Sequence, residues 1–397
     1  MPNRTTAFSE LVSERLIEIG AGRPRTVNMN GRDLPILRVA DVLDGRVEYG
    51  FQARTSNRDV QGQESKVSRP GDIVLTTKGT VGRVALMPPD GPAFAYSPQL
   101  CYFRPTASGP LRSRFLYYWF KSAEFWVQAN ALKGQTDMAD FLSLGDLQRL
   151  QISIPSLDRQ DAVVGVLGAL DDKIAVNDRI AATAEQLCLA YFSDQTGAAM
   201  VSVAELCHVE KKQIDPRELS NTSVLHFSIP SFDAGRTPEV ADPREIKSSK
   251  FEVPPSAVLV SKLNPGTPRV WQVRHDGGMP AMASTEFLIL LPIEGVSTAE
   301  LWAVLSQPTF MASIAAKVTG TSNSHQRVRP AEIMDAEIAD PRQFGQLRLM
   351  AEALLQRVHA ARQEATTLRA LRDTLLPELM SGRLRVTDVE KVVEEAV

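Results

Sequence analysis

The sequence predicts an α+β protein in which two α+β domains are separated by two long antiparallel coiled-coil helices, with an internal pseudo-two-fold repeat. Three observations support this fold class. The 397-residue chain repeats at an offset near 186 residues, each copy ends in a long run of helical periodicity, and short β-branched segments precede each run. A self-similarity of this kind indicates one structural unit built twice.

The repeat is carried by matching residues at a nearly constant offset. Leu147–Pro155 aligns with Ile333–Pro341, and further upstream the offset drifts by only one residue. We therefore expect the two halves to share one topology. The matched positions are Thr76 with Ser261, Ser97 with Ser284, Gly134 with Gly320, Asp146 with Glu332, Pro155 with Pro341, and Gln160 with Gln346.

Each half is predicted to contain an irregular sheet and shorter helices. Residues 8–20 fit either a short helix or a strand, and residues 34–104 contain short β-branched runs broken by glycine and proline. Residues 114–130 predict an aromatic-rich helix, and residues 298–317 predict its counterpart in the second half.

Two long runs carry apolar residues at alternating spacings of three and four, which is typical of a coiled-coil seam. One such run would equally fit a core helix of a globular domain, but two at equal offset favour mutual pairing. An antiparallel pair gives approximate two-fold symmetry, although the long connections allow either orientation. The predicted helix-pairing residues are Val163, Leu167, Leu170, Ile174 and Asn177, continuing through Ala181, Ala184 and Cys188, and Leu347, Met350, Leu354, Leu368, Leu371 and Leu375, interrupted by Arg357 and Glu364.

Composition indicates a soluble globular protein, with 43% hydrophobic and 23% charged residues. No apolar run approaches the ~20 residues of a membrane span, so we expect no membrane association. The three cysteines are widely spaced and predict free thiols in a reducing cytoplasm. The net charge of −3 is uneven: residues 1–150 carry +4, residues 200–331 carry 0, and the helices with the tail carry −7. The globular parts could therefore bind DNA through limited patches.

Motifs in both halves resemble the specificity (S) subunit of type I restriction-modification enzymes, from about Ala7 to Val386. The chain contains PGDIVLTTKGTVGR at residues 70–83 and LGDLQRLQISIPSLDRQ at residues 144–160. LRDTLLPELMSG at residues 371–382 is also similar to that family. The further segments that carry the resemblance are LDDKI at 170–174, VLVSKLNP at 258–265, STEF at 284–287 and GTSNSH at 320–325. One departure is the acidic residue before Pro341, where the family prefers an apolar one.

The resemblance implies a subunit that binds double-stranded DNA and has no catalytic residues of its own. It implies two target-recognition domains, at residues 1–146 and 196–332, each reading one half of a bipartite, asymmetric target. It also implies spacer helices at residues 147–195 and 333–382, with a tail at 383–397. Two methyltransferase (M) subunits and restriction/translocase (R) subunits are the expected partners in this phage-defence system. They would carry the S-adenosylmethionine, ATP and Mg²⁺ chemistry, and we expect no cofactor bound by this chain.

The residues themselves offer no obvious catalytic site. The chain has no phosphate-binding loop of the form GxxxxGK[ST], and its five histidines show no metal-ligand spacing. Two alternatives to a specificity subunit are a non-catalytic scaffold or adaptor that uses the helices to space partners, and the recognition part of a fused type II-like restriction-methylation enzyme.

Polar loops supply the candidate DNA contacts, because base reading needs paired donors and acceptors and phosphate binding needs cations. Each candidate would equally fit a solvated loop or a turn. The candidates in the first half are Arg54, Ser56, Asn57, Arg58, Lys78, Thr80, Arg83, Gln135 and Thr136. Those in the second half are Lys262, Asn264, Arg269, Arg274, Ser322, Asn323, Ser324, His325, Gln326 and Arg327.

Overall fold

The computed structural model forms two compact units, Met1–Asp172 with Leu368–Val397 and Lys173–Thr367. The structure describes residues 4–22, 34–50, 53–55, 66–132, 134–135, 140–193, 197–219, 223–318 and 326–386. Among these residues, no helix is long and apolar enough to cross a membrane. Candidates Ser56, Asn57, Arg58, Thr136, Ser322, Asn323, Ser324 and His325 lie outside the described residues.

The first unit is an α+β structure around a four-stranded antiparallel sheet, β2-β10-β7-β8. Its strands are β1 (Arg4–Ala7), β2 (Ile17–Ala21), β3 (Leu34–Leu37), β4 (Val42–Leu43), β5 (Arg46–Val47), β6 (Arg54–Thr55), β7 (Ile73–Thr76), β8 (Val84–Leu86), β9 (Ala95–Tyr96), β10 (Leu100–Pro105), β11 (Gly134–Gln135), β12 (Asp140–Phe141) and β13 (Gln151–Ile154). Its helices are α1 (Phe8–Ser13), α2 (Ser113–Phe120), α3 (Ala123–Leu132), α4 (Leu144–Arg149) and the first part of the long helix α5 (Leu157–Ser193).

For residues 8–20 the sequence allowed either a helix or a strand. The structure contains both, since helix α1 is followed by strand β2. The single helix predicted over residues 114–130 is two helices that meet at Ser122. The Ser122 hydroxyl donates to the Trp119 carbonyl at 2.7 Å, and such a local bond competes with helix continuation. The break lets Trp119 and Phe125 both turn into the core, where their ring centroids are 5.5 Å apart.

The second unit repeats this arrangement around the sheet β15-β23-β20-β21. Its strands are β14 (Met200–Ser202), β15 (Cys207–Glu210), β16 (Gln213–Ile214), β17 (Val224–Phe227), β18 (Glu239–Ala241), β19 (Lys250–Glu252), β20 (Ser256–Ser261), β21 (Val270–Arg274), β22 (Ala281–Ala283), β23 (Phe287–Pro292) and β24 (Glu337–Ala339). Its helices are α6 (Ile229–Asp233), α7 (Thr298–Leu305), α8 (Pro308–Ala315), α9 (Pro330–Met334) and most of the second long helix, α10 (Leu347–Ser381).

Hydrogen bonds confirm the internal repeat at single-residue resolution. In the first unit Thr76 pairs with Leu100, and the Ser97 amide donates to the Leu37 carbonyl. In the second unit Ser261 pairs with Phe287, and the Ser284 amide donates to the Phe227 carbonyl. The parallel pair β3·β9 likewise recurs as β17·β22, and the flanking pair β1·β13 recurs as β14·β24.

Within each unit, segments of α5 and α10 run antiparallel. In the second unit Lys173 bonds Glu364 at 3.1 Å, whereas the later residue Phe192 contacts the earlier residue Phe344. In the first unit Arg372 bonds Asp171 at 2.8 Å. The helices have 37 and 35 residues, which at 1.5 Å per residue makes each about 50–55 Å long.

The predicted row on α5 lies in the protein interior. Val163, Leu167, Leu170, Ile174 and Asn177 are all buried, as are Ala181, Ala184 and Cys188. On α10 the buried row differs from the predicted one. Leu375 is buried, Leu347, Leu354, Leu368 and Leu371 pack at the margins of the cores, and Met350 is 39% exposed. Ala361, which lies in the predicted row between Arg357 and Glu364, is also buried. The other enclosed residues of α10 lie outside that row and are Ala351, Leu355, Val358, Ala365, Leu376 and Leu379.

Candidate nucleic-acid interface

One edge of the central sheet in the first unit gathers three segments, residues 77–83, 97–99 and 140–142, which we name the first polar edge. The Thr77 amide donates to the Gln99 carbonyl, and the Leu142 amide donates to the Thr77 carbonyl, both at 2.9 Å. A β-bridge joins Lys78 to Phe141. Segments far apart in sequence are therefore held side by side by main-chain bonds, which any side chain permits.

A cleft of about 810 Å³ opens at this edge, and Arg38, Lys78, Thr80 and Arg83 contribute to its lining. Lys78 and Thr80 are exposed, while Arg83 is half-buried and donates to the Val42 carbonyl at 3.4 Å. A concave surface with several cations suits a polyanion. The arrangement brings together the three candidates that the sequence placed around the turn at residues 78–83.

The turn itself depends on Gly82. Its φ is +99°, and a Cβ added there would lie 2.0 Å from Cη2 of Trp126. Only glycine fits this position without displacing the indole, so packing against α3 fixes the backbone that presents Lys78 and Thr80.

The second unit has an equivalent edge, residues 262–268, 284–286 and 326–328, which we name the second polar edge. The Lys262 amide donates to the Glu286 carbonyl at 2.8 Å, and the Val328 amide donates to the Lys262 carbonyl at 3.0 Å. A β-bridge joins Leu263 to Arg327. These contacts repeat those of the first polar edge bond for bond.

Asn264 and Gln326 meet at this second edge. The main-chain amide of Asn264 donates to the main-chain carbonyl of Gln326 at 2.8 Å. Asn264 has a φ of +47°, a left-handed conformation that asparagine tolerates better than most residues. The edge thus brings together four of the candidates, namely Lys262, Asn264, Gln326 and Arg327.

An ion-pair cluster distinguishes the second polar edge from the first. Arg327 donates to both carboxylate oxygens of Glu286, at 2.8 and 3.1 Å. The bonds from Arg327 lower the pKa of Glu286, which keeps the carboxylate ionised. Burial, together with nearby Arg327, lowers the pKa of Lys262.

Two candidates in the second unit are placed differently. Arg269 forms a two-point ion pair with Asp233, at 2.7 and 2.8 Å, and its side chain is only 11% exposed. Arg274 pairs with Ser256, at the opposite end of the β20·β21 hairpin from the polar edge. At about 3.4 Å per residue, four residues of strand separate Arg274 from that edge by more than 10 Å.

In the first unit, Arg54 lies on β6 opposite Pro35, and β11 pairs the backbone of Gln135 with Asp140. The amide of Gly79 donates to the Asp140 carbonyl at 3.4 Å, so the Gln135 backbone belongs to the same neighbourhood as Lys78. Sequence reasoning missed Arg38, Gln99 and Glu286. The repeat held a usable signal, since Gln99 and Glu286 occupy equivalent positions two residues after the matched serines.

Carboxylates on α5 accept hydrogen bonds from one tyrosine and two arginines of the globular parts and from one arginine of α10. In the first unit Tyr118 donates to Asp171 at 2.7 Å, and Arg114 donates to Asp172 at 2.6 Å. In the second unit Glu185 accepts from Arg236, and from Arg362 of α10, both at 2.8 Å. Part of the acidic surplus of the helices is therefore used internally.

The described residues contain no group of three or more His, Cys, Asp or Glu side chains placed to hold a metal ion. Burial raises the pKa of Cys101 to about 11, and those of Cys188 and Cys207 to about 12. All three thiols are free and enclosed, so they remain protonated near neutral pH.

Comparison with known proteins bears on this architecture. Residues 21–186 match the family model described as "Type I restriction modification DNA specificity domain". No curated protein matches the chain. The solved S subunit of a type I restriction-modification system from M. genitalium is 14% identical and has a TM-score of 0.55, with 95% of this chain and 96% of that chain covered.

Two further solved chains have TM-scores of 0.36. One is the HsdS subunit from Thermoanaerobacter tengcongensis, 17% identical, with 96% and 97% of the two chains covered. The other comes from a structure concerned with complex assembly and conformational transition of the type I R-M system, 15% identical, with 96% and 98% covered. The fold comparison therefore rests on the M. genitalium subunit.

The chain is a doubled α+β unit with paired helices and a polar edge at the same place in each copy, and it shares its fold with the solved S subunit from M. genitalium. The family match covers most of the described first unit, and the likeness of fold extends over nearly the whole chain. Residues 21–186 therefore form a type I restriction-modification DNA specificity domain.

Proposed function

We propose that this chain gives sequence specificity to a type I restriction-modification complex. Each unit reads one half of a bipartite, asymmetric DNA target, and the helices set the spacing between the half-targets. The observation that carries the proposal is the repeated polar edge. The same main-chain bonds recur in both units, while the side chains that they present differ.

Charge supports limited rather than extensive phosphate contact. Each polar edge presents a few cations, and the net charge of the whole chain is −3. Affinity for DNA rises with the number of phosphates neutralised, so a partner is needed to supply more positive charge. We assign that part to two methyltransferase subunits docked on the units and helices, with restriction/translocase subunits joining them.

Catalysis and cofactors belong, in this proposal, to the partners. S-adenosylmethionine would be bound by the methyltransferase subunits, and ATP with Mg²⁺ by the restriction/translocase subunits. This chain binds none of them and works on DNA in the cytoplasm.

The experiment is to purify the chain with its methyltransferase and to map modified adenines on genomic DNA by long-read sequencing. The expected result is one target with two fixed half-sites separated by bases of any identity. A continuous target, or modification without sequence preference, would overturn the proposal.

A domain exchange assigns each half-site to its unit. Residues 8–145 are replaced by the corresponding unit of a related chain, and the mapping is repeated. One half-site should change while the other stays the same. A change in both half-sites, or in neither, would contradict independent reading by the two units.

A further inference from the structure

A tight turn at the first polar edge holds the main chain of Gln99 in a fixed position. The Leu100 amide donates to the Ser97 carbonyl at 3.0 Å, and Pro98 precedes Gln99 inside this turn, where proline restricts the backbone before folding. The Gln99 carbonyl also accepts from the amide and the hydroxyl of Thr77, at 2.9 and 3.0 Å. The main chain of Gln99 is therefore held from two directions, while its side chain is exposed.

The second unit has the same turn, but the side chain at the equivalent position is engaged by the protein itself. The Phe287 amide donates to the Ser284 carbonyl at 3.0 Å, so Glu286 takes the place of Gln99. The Ser284 hydroxyl accepts from the Glu286 amide at 3.3 Å. Arg327 donates to the Glu286 carboxylate.

Neither side-chain contact has a counterpart at the first polar edge. The hydroxyl of enclosed Ser97 has no hydrogen-bond partner in the part of the chain that the structure describes. Phe141 stands at the place of Arg327, and its ring offers no polar atom to an amide. Across the described residues the side-chain amide of Gln99 likewise forms no hydrogen bond. Both ends of that amide are therefore open to a partner from outside the chain.

Gln99 lines the cleft of about 810 Å³ together with Arg38 and Lys78, which are exposed. Cations such as these bind phosphates and set the position of a duplex without reading its sequence. A side-chain amide differs from them, because it carries a donor and an acceptor on separate atoms. The cleft therefore combines groups for positioning DNA with one group suited to reading a base.

We propose that Gln99 reads an adenine in the half-target of the first unit; this rests on the function proposed above. The amide of glutamine matches the N6 donor and the N7 acceptor of adenine in the major groove, while Arg38 and Lys78 bind adjacent phosphates. A methyltransferase extrudes the adenine that it modifies, so the adenine read by Gln99 is a different one. Since the equivalent turn of the second unit presents Glu286, this contact belongs to the first half-target alone.

The test uses the full chain in complex with its methyltransferase. Gln99→Ala removes the amide, and Gln99→Glu keeps the shape but replaces the donor by a second acceptor. Gln151 is the matched control, because it is an exposed glutamine on β13 of the same unit and does not line the cleft. Gln151→Ala and Gln151→Glu make the same changes there. Thermal melting should leave all four complexes close to the wild type, since only exposed side chains are altered.

Modified adenines are mapped for each complex, and the half-site of the first unit is the one that changes when residues 8–145 are exchanged. Gln99→Ala should relax one A·T pair in that half-site, with roughly 5- to 150-fold less discrimination at that base pair. Gln99→Glu should shift the preference at the same pair towards cytosine, because a carboxylate accepts from N4 of cytosine. The Gln151 variants should leave the target unchanged.

Lys78→Gln separates base reading from phosphate binding. Loss of this cation should weaken modification of all sites alike and reduce the salt dependence by about one phosphate, with the target sequence unchanged. Gln99→Ala should do the opposite, changing the target sequence while the salt dependence stays the same.

Three outcomes would overturn the inference while leaving the proposed function intact. The first is a wild-type bipartite target whose first half-site is unchanged by Gln99→Ala. The second is relaxation at a G·C pair instead of an A·T pair. The third is weaker modification of all sites alike in Gln99→Ala, which identifies a contact to the DNA backbone. Failure of the proposed function looks different, because the wild-type complex itself would then show no bipartite target.

Discussion

A buried charge network in the first unit predicts a large and local loss of stability. The Asp72 carboxylate is fully enclosed and accepts from Tyr96 at 2.6 Å, from Arg104 at 2.6 and 2.7 Å, and from the Arg69 amide at 2.8 Å. Burial and the nearby carboxylate raise the pKa of Tyr96, so its hydroxyl remains a donor. Asp72→Ala removes the acceptor from every one of these groups.

The size of the stability loss depends on the groups that remain buried once the Asp72 carboxylate is removed. The Arg104 side chain is only 13% exposed, so its guanidinium loses its main partner inside the protein. Glu18, which accepts from Arg104 at 3.1 Å, is 41% exposed and compensates only in part. Breaking a buried pair by removing one partner costs about 3–5 kcal/mol, and we expect Asp72→Ala to fall in that range.

The matching positions in the second unit suggest a control variant for Asp72→Ala. At the positions of Asp72 and Arg104, the second unit has Ala257 and Leu291 in the same sheet. The variant Asp72→Ala/Tyr96→Phe/Arg104→Leu therefore removes the whole network rather than half of it. Because apolar replacement of a complete buried pair is often close to neutral, this triple variant should be more stable than Asp72→Ala alone.

Hydrogen exchange measured by mass spectrometry on the full chain locates the effect. Peptides from β7 and β10 should exchange roughly 100- to 4000-fold faster in Asp72→Ala, since each 1.4 kcal/mol is a factor of ten. Peptides from β20 and β23 serve as the internal reference. The reasoning is refuted if β10 keeps its protection in the single variant, or if the triple variant is no more stable than the single one.

Three further predictions concern other parts of the chain. Gln160 is enclosed, and its side chain bonds the Arg112 amide and the Pro110 and Pro155 carbonyls. In denaturant titrations Gln160→Ala should lower the free energy of unfolding by about 1–3 kcal/mol. The matched residue Gln346 is exposed, so Gln346→Ala should change the free energy of unfolding by less than about 0.5 kcal/mol. Burial, with Arg362 and Arg274 nearby, lowers the pKa of His359 from 6.5 to about 4. The contribution of His359 to stability should therefore be complete above pH 6.5 and be lost as the pH falls from 6.5 to 4. His359→Gln should flatten that part of the pH profile of unfolding, and an unchanged profile would contradict this prediction. The three buried thiols should react with Ellman's reagent at pH 8 only after denaturant is added, and rapid labelling of native protein would show that they are accessible.

The repeated topology could be predicted from the sequence because the matched residues lie at turns whose main-chain hydrogen bonds recur in both units. Thr76 with Ser261, and Ser97 with Ser284, mark the same hydrogen bonds in both units, and their spacing alone aligned the sheets. It was also sufficient for the interior row of α5, where one set of positions clearly dominates.

The buried row of α10 could not be predicted from periodicity, because this helix carries two overlapping apolar rows. Leu347, Met350 and Leu354 lie in one row and Ala351, Leu355 and Val358 lie in the other, and the second row is the enclosed one. A shift of one residue turns a side chain by about 100° around the helix. Both rows contain leucine, so hydropathy alone does not separate them.

The polar edges were predictable in part, because loops that follow strand ends place polar residues near one another. Lys78, Thr80 and Arg83 lie together as their spacing suggests. The partner of Arg327 was not predictable in this way, since Glu286 lies 41 residues away and meets it only through the sheet. For the same reason Arg269 and Arg274, five residues apart, point to different surroundings despite similar sequence contexts.

The two polar edges together suggest how specificity can diverge while the fold stays constant. The bonds that recur at both edges join main-chain amides and carbonyls, which all residues except proline provide in full. Side chains add bonds that one edge has and the other lacks, such as that from the Thr77 hydroxyl to the Gln99 carbonyl and those from Arg327 to Glu286. A substitution at these positions therefore changes the recognition surface and leaves the shared main-chain bonds in place. The equivalent pairs show the result of such substitution within one chain: Thr77 and Lys262, Lys78 and Leu263, Gln99 and Glu286, and Phe141 and Arg327.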